Sequence, residues 1–178
     1  ARLARLFRVA PAGISVVANR TIMDVNDAFC RMVGYAREEL VGRDVDLLYP
    51  TREEYDHVGE EGYRRLAETG SGMVETRWRR KDGSIIEAII ALTALDPANP
   101  SQGVTLTALD ITERKTAENK VRETAHFLQN LIDGIPNPIY FRNTEGIYRG
   151  CNRAFEAHAG LPRDQIIGQS VFGVAPKE

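Results

Sequence analysis

"NDAFCRMVGY" (residues 26–35) reads as a short amphipathic helix, and "NRAFEAHAGL" (152–161) repeats its skeleton of Asn, any residue, Ala, Phe, four residues and Gly. The two copies share no catalytic side chain, so the repeat concerns architecture. Working outward, Gly42 and Pro50 recur as Gly168 and Pro176, at the same offset of 126. Upstream, Leu3, Leu6, Pro11 and Ile14 recur as Leu128, Leu131, Pro136 and Ile139, at an offset of 125. One extra residue near "RNTEG" (142–146) absorbs the slip, at a turn, where length changes are tolerated. A period this long marks tandem domains, not solenoid units. The second copy stops at Glu178 and holds only the first half of the pattern.

Copy one supplies the rest of the pattern. "ISVV" (14–17) and "IMDV" (22–25) read as two strands around the turn "ANRT". Asn26 caps the repeated helix and Gly34 ends it in the left-handed conformation. A second short helix closes at Gly42, and "TREE" (51–54) predicts a capping box opening a helix that runs to about Thr69 and stops at Gly70. The period then changes to two. In "MVETRWRR" (73–80), Val74, Thr76 and Trp78 share one face and Glu75, Arg77 and Arg79 the other. "KDGS" (81–84) predicts a hairpin with positive φ at both Asp82 and Gly83. "IIEAIIALTAL" (85–95) is apolar on nearly both faces, so both are expected to be covered. "DPANPSQG" (96–103) is a loop and "VTLTALDI" (104–111) the last strand. Two strands, several helices and three strands predict an antiparallel sheet with helices on one face, an α+β domain.

Residues 113–134 read as a linker helix, opened by a capping box from Asp110 to Glu113 and closed at Gly134. Val121, Ala125, Leu128 and Ile132 form a heptad-like stripe, open to two readings: a helix lying on its own domain, or a parallel dimer helix. Residues 1–10 match its end in register and read as the tail of an upstream helix. The chain opens on Ala1, with arginines in an amphipathic start, and is expected to be a piece of a longer protein. Residues 135–178 are then the N-terminal half of a second domain, whose missing strands are expected further along the parent protein or from a neighbouring chain.

Composition excludes more than it selects. Apolar residues at 43% suffice for a core, and a net charge of −2 provides no field for nucleic acid or anionic lipid. No apolar run approaches the ~18 residues of a membrane span. Cys30 and Cys151 match no metal or redox spacing, which fits a reducing, cytoplasmic setting. No P-loop, nucleophile elbow, metal triad, kinase motif or cyclase motif is present, so no enzyme is expected in these residues.

Together, "NDAFCRMVGYAREELVGRD", "RRKDGSIIEA" and "LDITERKTAE" resemble a PAS domain with its C-terminal motif, over residues 11–115; residues 135–178 resemble the first half of another. The resemblance implies a five-stranded antiparallel sheet of order 2-1-5-4-3 and a sensory role in a bacterial signalling protein with a histidine kinase or diguanylate cyclase output. It implies a pocket between sheet and helices, with Phe29, Val45 and Trp78 as candidate lining. Photoactive flavin members carry a reactive Cys where this chain has Val45, and Val171 in copy two, so a cysteinyl adduct is not expected. Haem-binding members use a His of the long helix, but His57 lies opposite Tyr55, Val58, Gly62 and Leu66 at about 100° per residue and should face solvent. Redox members hold FAD without a covalent bond beside an aromatic; Trp78 points towards the pocket, although the family's usual Trp lies where this chain has "GSGM". Trp78 reads first as a core or sheet-covering aromatic and second as a cofactor contact. "RWRRK" (77–81) reads as a solvated strand face. Asp110, Thr112 and Glu113 are expected to relay motion of the last strand into the linker helix. Three functions follow: a sensor of a small ligand, redox state or partner; a ligand-free homodimerisation spacer; and an FAD-binding redox sensor.

Overall fold

The structure is a computed structural model that describes residues 7, 8, 10–96 and 102–174. Leu3 and Leu6 of the predicted upstream helix, Pro176, and most of the 96–103 loop lie outside the described residues; Phe7 and Arg8 are helical. The chain divides between Thr116 and Ala117 into two compact units.

In the first unit the element order is β1 (Gly13–Ala18), β2 (Thr21–Val25), α1 (Asp27–Val33), α2 (Arg37–Leu40), a 3-10 turn (Val45–Leu48), α3 (Arg52–Thr69), β3 (Ser71–Arg79), β4 (Ile85–Ala94), β5 (Val104–Asp110) and the start of α4 (Thr112–Asp133). The sheet order is β2-β1-β5-β4-β3, with every neighbouring pair antiparallel. Strict alternation in β3 buries Val74, Thr76 and Trp78 and exposes Glu75, Arg77 and Arg79. Two glycines in the middle of α3 weaken it as an isolated helix but let it approach the sheet. A Cβ on Gly62 would stand 2.7 Å from Leu92 Cδ1, and one on Gly72 would overlap the Gly62 carbonyl oxygen.

Three expectations are corrected. The β3–β4 hairpin is not a turn with two positive φ values. Arg80 N–H donates to Ser84 O at 2.8 Å and Gly83 N–H to Arg80 O at 2.9 Å, and of the central residues only Gly83 has positive φ, at 86°. This is a three-residue loop with glycine in the left-handed position. The "TREE" box forms by half: Thr51 Oγ1 accepts from Glu54 N–H at 3.3 Å, while the Glu54 carboxylate turns to Arg77 Nε at 2.6 Å. Finally, β4 is not covered on both faces. Ile86, Ala88, Ile90 and Leu92 are buried, but outward Ile89 and Ala91 are half-buried and Ile85 is exposed.

The second unit holds the rest of α4, the hairpin β6 (Tyr140–Arg142) and β7 (Tyr148–Cys151), and helices α5 (Arg153–Ala159) and α6 (Arg163–Ile166). Its small core is Tyr148, Cys151, Phe155, Ile166 and Val174. Phe172 is 94% exposed and Phe141 55%.

The two units explain the shifting offset of the repeat. Asn19 (φ 49°) and Arg20 (φ 64°) form a two-residue loop between β1 and β2. In the second unit Asn143 N–H donates to Ile147 O, Gly146 N–H returns to Asn143 O, and three residues lie between. A two-residue turn became a three-residue one.

The repeated asparagine does more than cap a helix. Asn26 is fully buried; its Oδ1 accepts from Phe29 N–H at 2.8 Å and Ile14 N–H at 2.9 Å, and its Nδ2 donates to Phe7 O at 3.1 Å and Ala12 O at 2.9 Å. Asn152 repeats the pattern with Phe155, Ile139, Ile132 and Asn137. Each asparagine thus fastens a helix start to the strand before it and to the end of the incoming helix.

Candidate functional site

A small cavity of about 30 Å³ lies inside the first unit, room for roughly one water. The β1–β2 turn supplies Arg20, the 3-10 turn and the residue after it supply Val45 and Tyr49, and α3 supplies Val58, Gly59 and Tyr63. Ile90 and Leu92 of β4 and Leu106 of β5 close it from the sheet. Burial pushes the Tyr49 phenol up to about 12, so it keeps its proton at neutral pH.

Of the three lining candidates, Val45 stands on the cavity wall. Phe29 and Trp78 do not; each is 1% exposed, and their rings pack together with centroids 5.5 Å apart at 60°. The Trp78 indole N–H faces Tyr49 closely enough to oppose that residue's shift, yet makes no hydrogen bond of good geometry. A flavin or haem does not fit this interior, since pockets for such ligands measure ~300–1,000 Å³. His57 is exposed on α3 while Tyr55, Val58, Gly62 and Leu66 are buried, the phase expected for it. Burial raises the Cys30 thiol above its ordinary value, which keeps it protonated and unreactive. Three of the four "RWRRK" cations are engaged with carboxylates: Arg77 with Glu54, Arg80 with Asp110 and Lys81 with Glu39.

The second feature is the junction between sheet and α4. Asp110 Oδ1 accepts from Thr112 N–H at 2.9 Å, and its other oxygen pairs with Arg80 at 2.8 Å. Burial pushes the Asp110 carboxyl up, but the bonds from Thr112 and Arg80 more than reverse that and leave it below its usual value. Thr112 Oγ1 accepts from Glu87 N–H at 2.9 Å, and Ile111 N–H donates to Glu87 O at 2.9 Å. Lys115 Nζ, one turn into α4, lies 2.8 Å from Glu75 and 3.0 Å from Glu87. Those hydrogen bonds hold Lys115 above and Glu75 below their ordinary values. Glu113 is exposed and stands outside this cluster, so the capping box expected from Asp110 to Glu113 is corrected: the helix begins at Thr112, and the Asp110 carboxylate accepts from Thr112 N–H.

The structure thus places Asp110 and Thr112 at this junction beside Lys115, Glu75, Glu87 and Arg80, which the sequence did not single out. The missed partners come from outward positions of β3 and β4, where charged residues are the ordinary expectation for a solvated face. The sequence did not single out Arg20 and Gly59 either. The available signal was the pair of glycines inside α3, costly in a helix unless something packs against them.

No residue of α4 is buried; Val121, Leu128 and Leu131 are each more than half exposed. Among the described residues, no helix is long and apolar enough to cross a membrane.

A family model described as "PAS domain" matches residues 11–113, and one described as "PAS fold" matches residues 126–178. The chain is 35% identical over 128 residues to the sensor protein TdiS of Thauera aromatica, covering 71% of this chain and 23% of that protein. It is 31% identical over 107 residues to the virulence sensor protein BvgS of Bordetella bronchiseptica, covering 55% and 9%. The chain thus spans less than a quarter of the length of either relative. Among solved structures, it is 28% identical to a PAS domain in complex with ethanol, from a LuxR-family transcriptional regulator of Burkholderia thailandensis. That match has a TM-score of 0.57 and covers 61% of this chain and 96% of that one.

Proposed function

Because the chain belongs to the PAS domain family, we propose that residues 11–112 form the sensory input module of a bacterial signalling protein with a histidine kinase or diguanylate cyclase output. A small molecule in the cavity is the signal, and α4 carries it onward. One observation supports this reading above the others: β4 serves both ends. Its inward row supplies Ile90 and Leu92 to the cavity, and its outward row supplies Glu87 to the α4 junction. Glu87 and Ile90 are about 10 Å apart along the strand. A shift of β4 at the cavity therefore reaches three bonds that hold the first turn of α4. Such coupling requires the occupant to favour one arrangement by about 1–3 kcal/mol.

A second reading is a ligand-free homodimerisation spacer, pairing through α4 and the sheet faces. The open outward row of β4 and the bare apolar stripe of α4 favour it. An FAD redox sensor fits less well, given the cavity volume. Native mass spectrometry and an absorption spectrum of the purified chain separate the readings. A small molecule retained at one per chain, without visible bands, supports the sensor. Flavin bands overturn the small-ligand reading, and a protein that retains nothing and takes up no added small molecule is the spacer.

A further inference from the structure

The cavity departs from a plain apolar core at Arg20, and the departure begins in the backbone. Its φ of 64° lies in the left-handed region, which favours glycine. The corresponding residue of the second copy, at the offset of 126, is Gly146, with φ 81°. Copy one therefore places an arginine where its own repeat places glycine. Val45 N–H donates to the Arg20 carbonyl at 2.9 Å and pins the turn. The side chain crosses to α3, where the guanidinium stacks 3.3 Å from the Tyr55 ring centroid and donates to Tyr55 O at 2.5 Å. It fills a notch at Gly59, where a Cβ would overlap it. Among the described residues no carboxylate forms an ion pair with Arg20. Asp44, which shares Tyr55 with it, accepts instead from the Tyr55 hydroxyl at 3.2 Å.

The polar residues lining the cavity are Arg20, Tyr49 and Tyr63; no residue with a carboxylate or amide side chain lines it. Burial holds both phenols above their ordinary values, so they remain hydrogen-bond donors. Arg20, Tyr49 and Tyr63 are thus the polar residues around an otherwise apolar space, and a cation with hydroxyl donors beside it calls for an acceptor that carries negative charge. We infer that the cavity takes a short-chain monocarboxylate, its carboxylate on Arg20 and its alkyl end among Val58, Ile90 and Leu92. The planar guanidinium matches a carboxylate in two parallel hydrogen bonds. The volume of about 30 Å³ has room for about one methyl group, so acetate is the expected size once the guanidinium moves from the Tyr55 carbonyl to the ligand, and propionate binds only if the wall gives. This assignment rests on the sensory reading and gives its ligand a chemical class.

The test is an amide-shift titration of the whole chain by NMR with sodium acetate and sodium propionate, against acetamide and 1-propanol as uncharged counterparts, at constant ionic strength. Arg20→Gly takes the second copy's residue and relieves the turn, so folding is not at stake; Arg20→Lys keeps the charge. Carboxylates are expected to give saturable shifts at Val45, Tyr49 and Gly59, at least tenfold weaker in Arg20→Gly and intermediate in Arg20→Lys. The uncharged compounds are expected to bind more weakly, with no dependence on Arg20. Equal affinity for charged and uncharged compounds, or undiminished carboxylate binding in Arg20→Gly, overturns the carboxylate assignment and leaves small-molecule sensing standing. No saturable shift from any of the four overturns both.

Discussion

A Thr112→Val variant keeps the shape of the side chain and deletes one hydroxyl. That hydroxyl oxygen accepts from Glu87 N–H at 2.9 Å. Glu87 is half-buried, with Lys115 lying over it at 3.0 Å, so water reaches the freed N–H poorly. An orphaned backbone donor in such a place costs about 1–2 kcal/mol. The Asp110 bond to Thr112 N–H does not involve the hydroxyl and survives the change. Local opening at the junction then rises about 5–30-fold while the sheet stays closed. Amide hydrogen exchange by NMR measures this directly. Glu87 and Lys115 amides are expected to lose protection by that factor, and β1 and β5 amides by less than about twofold. Unchanged exchange at Glu87 would refute the junction as drawn. Uniform acceleration across the sheet would show that the hydroxyl serves general stability and not the anchoring of α4.

Trp78→Ala removes the largest fully buried side chain and the face against which Phe29 packs, at a cost of about 3–5 kcal/mol. Urea unfolding followed by fluorescence-independent circular dichroism checks it; a loss under about 1 kcal/mol would make Trp78 a cofactor contact and not a core residue. Gly62→Ala improves helix propensity by about 1 kcal/mol yet sets a Cβ 2.7 Å from Leu92 Cδ1. A net destabilisation of about 1–2 kcal/mol is expected, while Gly59→Ala, facing only a movable arginine, is expected to be neutral or stabilising. Asp110 titrates below its ordinary value of 3.8 in the folded chain, so its contribution is complete above that value and drains away as pH falls through the lower folded one. In thermal melts, Asp110→Asn is expected to trail the wild type at neutral pH and to close the gap on acidification below 3.8; a gap independent of pH would show that the carboxylate charge plays no part.

The fold was legible because its signals are local and redundant. Asn26 and Gly34 bracket a helix by capping chemistry, and Val74, Thr76 and Trp78 alternate with charged residues over a whole strand. The helix phase placed His57 outside correctly for the same reason. What failed needed partners from distant parts of the chain. The Glu54 carboxylate has two plausible donors, and only the fold shows that Arg77, 23 residues away, wins. Lys115, Glu75 and Glu87 look like ordinary surface charges until the register of β3 and β4 sets them side by side. Trp78 pointed inward as read, but whether an inward aromatic lines a space or fills it depends on its neighbours, here Phe29. Arg20 was marked only by the glycine that the repeat sets opposite it, Gly146, and that sign says nothing of where the side chain goes.

Coupling through β4 meets its most direct test in a comparison of two core variants by hydrogen exchange. Ile90→Val trims one methyl from the cavity wall on β4, and Val25→Ala trims the core on β2, from which β4 is separated by β1 and β5. Both are measured at equal global stability, at the Ile111 and Lys115 amides, which bond to Glu87 O and Ile111 O. Coupling predicts that Ile90→Val loosens these two amides several-fold and Val25→Ala leaves them as they were. Equal exchange at the α4 junction in both variants would contradict it.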